Sequence, residues 1–129
     1  MVKFGTLEWY QKMADWLNKD ADWMKAALNT TFMYVYSDVN GPDGQPKAFL
    51  MKFDNGKATV TEAKAADLGN KDVEFGTTAT YAMHAGIAKG EINPQKAKLK
   101  LNMMKAMKNQ GALKRQSAAM QAISKETEF

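Results

Sequence analysis

The amino-acid sequence predicts an α+β protein: a five-stranded, mainly antiparallel sheet covered by helices. Three observations lead there. Strand-like runs gather between residues 31 and 61, and helical runs dominate both flanks, a grouping that packs one sheet under helices. Asp54-Asn55-Gly56-Lys57 is the clearest turn, because Asn-Gly takes the positive φ angles of a type I′ hairpin without strain. Lys96-Ala97-Lys98-Leu99-Lys100-Leu101 alternates in strict period two, with one apolar and one lysine face.

In chain order, the first element is a long amphipathic helix, Leu7 to Leu28. Thr6 is its N-cap, and Glu8 complements the positive end of the helix dipole. Trp9, Met13, Trp16, Leu17, Met24, Ala27 and Leu28 recur at helical spacing, either as a plain core stripe or as an aromatic wall beside a cavity. Thr31–Tyr36 is β-prone and apolar on both faces, as in a strand covered on both sides. Asn40-Gly41-Pro42-Asp43-Gly44 is a dense turn signal. Ala48–Asp54 and Ala58–Thr61 are the strands of the Asn-Gly hairpin, and Glu62–Asp72 is a polar surface connection.

From Val73 the pattern becomes strand, helix, turn, strand, helix. Val73 and Phe75 alternate with polar neighbours, Gly76 ends that strand, and Thr77 or Thr78 caps a helix over Ala79–Ala88. Gly90 stands where a left-handed C-cap belongs, and Pro94 blocks continuation. Asn102 caps a closing helix that opens with Met103, Met104 and Met107, and Gly111 interrupts it.

The segment from Phe75 to Met104 carries a family resemblance. Phe75-Gly76-Thr77-Thr78-Ala79-Thr80-Tyr81, then Ala88-Lys89-Gly90-Glu91-Ile92-Asn93-Pro94-Gln95-Lys96-Ala97, then Lys98-Leu99-Lys100-Leu101-Asn102-Met103-Met104, resembles the sterol carrier protein type 2-like family. That pattern is a strand, a short helix, a Gly-Lys-hydrophobic-Asn-Pro turn, a Lys-Leu-Lys strand and an amphipathic C-terminal helix. The chain departs from it in having only Gln95-Lys96-Ala97 between the proline turn and the Lys-Leu-Lys strand. The resemblance implies a five-stranded sheet with helices enclosing an apolar tunnel against one face, and a lipid as ligand.

Composition bounds the chemistry. With 129 residues, 45% apolar and 25% charged, the chain reads as one soluble domain spanning residues 1–129. Cysteine is absent, which removes disulfides, thiolate metal sites and a cysteine nucleophile. The start lacks the apolar core of a secretory signal, and no run approaches the ~18 apolar residues of a membrane span, so the expected location is cytoplasmic. His84 is the one histidine, which excludes a histidine cluster for metal and reads as a hydrogen-bonded structural residue. No G-x-S-x-G elbow, Walker loop or G-x-G-x-x-G is present, and no motif marks a nucleic-acid partner. No cofactor is expected, and the reading is of a protein that is not an enzyme.

Two features remain. The chain holds ten methionines, and flexible, polarizable thioethers suit a surface that adapts to varied apolar shapes. The net charge of +4 is uneven: Lys89–Arg115 carries +7 and the remainder −3, which makes either a docking surface for anionic lipid or a solvated face. The expected function is binding or transfer of a lipid without chemistry: a fatty acyl chain, fatty acyl-CoA, phospholipid or sterol. Its expected lining is Phe32, Tyr34, Phe49, Met51, Phe53, Phe75, Met83, Ile87, Leu99, Leu101, Met103, Met107 and Met120. Only those from Phe75 to Met107 draw on the resemblance; the others rest on alternation and periodicity. Lys89, Lys96, Lys98, Lys100, Lys105 and Lys108 are the expected contacts to a transient anionic membrane surface. The alternatives are a structural or oligomerising module, a homodimer for instance, that docks through the Met-rich C-terminal helix, and a small enzyme built on paired carboxylates.

Overall fold

The computed structural model describes residues 1–129. Its elements run β1 (Val2–Lys3), α1 (Leu7–Lys19), α2 (Ala21–Lys25), β2 (Thr30–Asn40), β3 (Pro46–Asp54), β4 (Lys57–Lys64), β5 (Phe75–Ala79), α3 (Tyr81–Lys89), β6 (Lys98–Lys100), α4 (Met103–Lys108), α5 (Gln110–Ser124) and β7 (Thr127–Glu128). Single 3-10 turns occupy Ala65–Gly69 and Pro94–Lys96. The main sheet has the order β4-β3-β2-β5-β6, antiparallel except for the central β2–β5 pair, which is parallel. The fold class is therefore the predicted one.

Register decides which side chains share a face. Phe32 pairs with Phe75 and with Met51, Tyr34 with Thr77 and with Phe49, and Thr77 with Leu99, so these residues lie on one face of the sheet. That face and the helices make the main core, which includes Trp9, Tyr10, Met13, Leu17, Trp23, Phe49, Met51 and Phe53. The opposite face holds a small cluster of Met33, Val35, Ala48 and Val73, covered by Leu68 of the first 3-10 turn. β2 is thus apolar on both faces, as its sequence requires.

Several boundaries differ from the sequence reading, each for a local reason. The first helix breaks at Asp20, whose extended backbone and carboxylate cap a second helix by accepting the Trp23 amide N–H at 3.1 Å. Gly76 does not end its strand. It lies within β5, where a Cβ would meet Leu68 Cδ1 at 2.1 Å, so the missing side chain makes room for the cover of the outer face. The cap of α3 is accordingly Thr80, accepting from Met83 N–H. The regular part of β6 is only Lys98–Lys100, because Asn93 and Pro94 begin a 3-10 turn that runs to Lys96. The closing helices separate at Asn109, not at Gly111. The Asn-Gly turn is as predicted, with φ of 49° at Asn55 and 85° at Gly56.

Candidate functional site

A cavity of about 250 Å³ lies between the helices and the covered face of the sheet. Trp9 and Tyr10 of α1, Phe32 and Tyr34 of β2, His84, Ile87 and Ala88 of α3, and Leu113 and Met120 of α5 supply most of its wall. Phe4, Thr77, Pro94, Lys114, Gln116 and Ser117 complete it. Pro94 and Lys114 are the exposed members and mark the side that faces solvent.

Each wall has a sequence cause. Thr6 starts α1 by accepting the Trp9 amide at 3.2 Å, which fixes Trp9 and Tyr10 in its first turn. Trp9 Nε1 donates to Thr127 Oγ1 at 3.0 Å, and the Phe4 ring packs edge-on to Trp9 at 4.6 Å. On α5, Leu113, Gln116, Met120 and Ile123 recur at spacings of three and four, and that stripe faces inward. Arg115 flanks it and grips Asp20 with two bonds, Nη2 at 2.6 Å and Nε at 2.8 Å, tying α5 to the α1–α2 junction.

Among the polar groups of the wall, the tyrosines and His84 are paired. The Tyr10 and Tyr36 hydroxyls are 2.6 Å apart, and the Tyr34 hydroxyl donates to Gln116 Oε1 at 3.0 Å. Burial pushes all three phenols above their ordinary pKa, so they stay protonated. His84 Nε2 lies 2.7 Å from the Val35 carbonyl, and the ring packs on Tyr36. Burial lowers its pKa against the opposing effects of Val35 and Asp38, so the imidazole is neutral and donates through Nε2–H. Gln116 Nε2 is buried and has no hydrogen-bond partner, and the Thr77 and Ser117 hydroxyls make no side-chain hydrogen bond.

Four of the expected lining residues reach the cavity: Phe32, Tyr34, Ile87 and Met120. Phe49, Met51 and Phe53 are instead sealed in the core, where Phe49 packs tilted on Tyr10 and Phe53 meets Trp23 edge-on. Phe75 lies behind the wall, parallel to Phe32 at 5.9 Å. Met83 and Leu99 are half-buried away from the cavity. Leu101, Met103 and Met107 are 44%, 59% and 68% exposed and lie outside the cavity, and Met104 is exposed as well.

The reason is that α4 is held by polar contacts. Lys105 Nζ reaches both Glu74 oxygens, at 2.8 and 3.1 Å, and the Asn29 carbonyl at 2.9 Å; Thr30 and Asn102 also donate to Glu74. Burial would raise the Glu74 pKa, but these donors outweigh it and hold the carboxyl below its usual value. Lys100 Nζ is likewise engaged, by the carbonyls of Leu68 and Asn70 at 2.9 and 2.8 Å, and Lys89 lies over the Phe129 ring. Lys96, Lys98 and Lys108 are exposed, with no ion pair or side-chain hydrogen bond.

The wall residues that sequence reasoning missed are of two kinds. Trp9 already lay on the α1 stripe. Gln116 occupies an apolar position of the α5 stripe, and that placement is the signal that a polar side chain is turned inward.

No family model matches the chain, and no curated protein sequence matches it. Solved structures do. The sterol carrier protein domain 2 of Helicoverpa armigera superposes with a TM-score of 0.62 at 22% identity, over 86% of each chain. Sterol carrier protein 2 from Yarrowia lipolytica, in its apo form, gives 0.53 at 19% identity, over 82% of this chain and 97% of that one. The chain has the sterol carrier protein 2 fold. Within that fold, the cavity described above sits between the sheet and helices α1, α3 and α5.

Proposed function

We propose that this chain is a non-catalytic carrier of lipid-like molecules, a soluble single domain that takes the apolar part of its ligand into the cavity. The observation that carries the reading is the cavity itself, about 250 Å³ of space walled mainly by aromatic and aliphatic side chains. Its likeness in fold to sterol carrier proteins supports the same reading. Binding would be driven by removal of apolar surface from water, about 25 cal/mol per Å² before association costs are subtracted. The volume exceeds the ~150 Å³ space that holds a benzene. It lies just below the ~300–1,000 Å³ of ordinary ligand pockets. One end of an acyl chain fits that space, whereas a whole sterol requires the wall to open.

Loading and delivery would take place at anionic membranes. Lys96, Lys98 and Lys108 supply free charge, and Met103, Met104 and Met107 supply exposed apolar side chains. Each lysine near such a surface contributes ~1 kcal/mol. Lys89, Lys100 and Lys105 add to the local potential while serving the internal contacts described above. The same exposed methionines favour a second reading, self-association through α4. Native mass spectrometry of protein purified from cells tests both: a copurified lipid on a monomer is the expected result. A ligand-free dimer that buries α4, with no uptake of a fluorescent fatty acid, would overturn the carrier reading. Cosedimentation with vesicles should require anionic lipid and vanish at high salt; equal binding to neutral vesicles would exclude the charge-driven docking.

A further inference from the structure

We infer that the cavity takes a single-chain amphiphile with an anionic head, its tail lying toward Trp9 and its head held at a polar mouth by Thr77, Ser117 and Lys114. The inference rests on the carrier reading and names the class of ligand. Thr77 is 7% exposed and lines the cavity from β5, yet its hydroxyl makes no hydrogen bond. Ser117, on the α5 side of the same wall, is alike in this. Neither oxygen is occluded: both keep accessible surface. A hydroxyl turned to an apolar interior without a partner is costly, and such groups are with few exceptions paired. These two are therefore placed to bond to what enters the cavity.

The polar residues collect on one flank. On α5, Lys114, Ser117, Gln121 and Ser124 recur at spacings of three and four beside the inward stripe. Ser124 Oγ donates to the Ala88 carbonyl at 3.1 Å, and a Cβ on Gly90 would lie 3.1 Å from Gln121 Nε2. This flank thus runs along the end of α3 and the turn that leads to Pro94. Arg115, on the other flank, holds Asp20. Thr77 pairs with Leu99 of β6, the strand that follows the same turn. The aromatic end lies elsewhere. Tyr10 packs on Phe49 of β3, across β2 from Thr77, and Trp9 is anchored to Thr127, beyond the far end of α5 from Lys114. The space is apolar at one end and hydroxylated at the other, where Pro94 and Lys114 meet solvent.

The wall also decides the charge of the head. None of its residues is acidic, and Lys114 is its one charged member and has no ion pair. Lys96, from the same 3-10 turn as Pro94, is exposed as well. A deeply buried anion would lose its hydration, so the head belongs at the mouth. There it keeps part of its water and gains a cation and two hydroxyl donors. An alcohol gains the hydroxyls alone, and an ammonium head meets Lys114 with no counter-charge beside it.

The test compares octanoate, octyl phosphate, octanol and octylammonium, which share a chain and differ in head. Titration gives the affinities, and nuclear Overhauser contacts between ligand and protein give the placement. The two anions should bind about 3–10-fold tighter than octanol, the effect of a partly exposed charge-assisted contact, with octylammonium weakest. The terminal methyl should contact the Trp9 or Tyr10 ring, and the methylene next to the head should contact the Thr77 methyl. Lys114→Met should bring the anions down to the level of octanol, and Lys114→Glu should put octylammonium ahead of them. Lys114 is exposed, so neither variant disturbs the core. Octanoate ahead of the phosphate points to free fatty acids and the reverse to a phosphate-bearing lipid; either order upholds the inference. Equal affinity for all four heads, octylammonium tightest on the unaltered protein, or the terminal methyl at Thr77 overturns the inference and leaves the carrier reading intact. Binding of none of the four overturns the carrier reading and this one with it.

Discussion

Helices α4 and α5 follow one another, the first rich in methionine and lysine and the second in alanine, and they are held in opposite ways. On α5, Ala119, Met120 and Ile123 are buried against the core, and Gln116 is buried with them. On α4 no residue is buried; Met103, Met104 and Met107 face outward, and the helix is held by Lys105 and Asn102 at Glu74. Apolar residues seek the interior only where the backbone offers a route to it. The six residues of α4, fixed by a polar hub at the edge of the sheet, offer none. The difference teaches that a methionine-rich stretch is not one feature: Met120 belongs to a cavity, and Met103, Met104 and Met107 belong to a surface.

The contrast predicts a graded set of effects. Ile123→Ala should be the most damaging, costing about 2–5 kcal/mol as a cavity-forming core truncation; denaturant unfolding measures it, and a change under 1 kcal/mol would show α5 to be loosely packed. Glu74→Gln should cost ~1–3 kcal/mol at neutral pH through lost charge-assisted bonds. Because the folded pKa of Glu74 lies below the ordinary 4.5, its contribution is complete above that pH and fades as pH falls through the folded value. The deficit of the variant should therefore shrink in acid, and a deficit constant from pH 7 to 3 would place the contribution elsewhere.

Asp20→Ala sharpens the α5 side. It removes the α2 cap, worth ~1 kcal/mol, and releases Arg115. Thermal unfolding should register the loss, and Asp20→Asn should recover part of it by keeping a capping oxygen. Smallest of all should be Met107→Ala, within about 0.5 kcal/mol, because the side chain is largely solvated. Its uptake of a fluorescent fatty acid should be unchanged while vesicle binding weakens. A loss of fatty-acid uptake would mean that α4 closes over the cavity in solution.

The fold was legible where the signal was local. Asn55-Gly56 dictates its hairpin, Thr6 and Asn102 cap the helices they precede, and Gly90 takes the left-handed C-cap with φ of 80°. What the sequence hid was set by distant partners. The β2–β5 pair joins residues 43 apart in register, and Gly76 is explained by Leu68, from the preceding 3-10 turn, folding back onto the strand. The site was legible in part for the same reason. Alternation put Phe32, Tyr34, Phe49 and Met51 on one face, but which of them meets empty space and which meets α1 depends on how Tyr10 and Trp23 fill the layer above.

One consequence lies in the pairing of β1 with β7. Val2 and Lys3 are in parallel register with Thr127 and Glu128, and Trp9 on the cavity wall is anchored to Thr127. The wall around Phe4 and Trp9 is therefore finished by residues more than a hundred positions away. Contacts of such long separation form late, since the loop they close must first be ordered. During synthesis, the aromatic rings of α1 emerge from the ribosome long before the segment that anchors them. Until Thr127 arrives, they form an unfinished apolar surface on a nascent chain, a target for chaperones rather than for ligand.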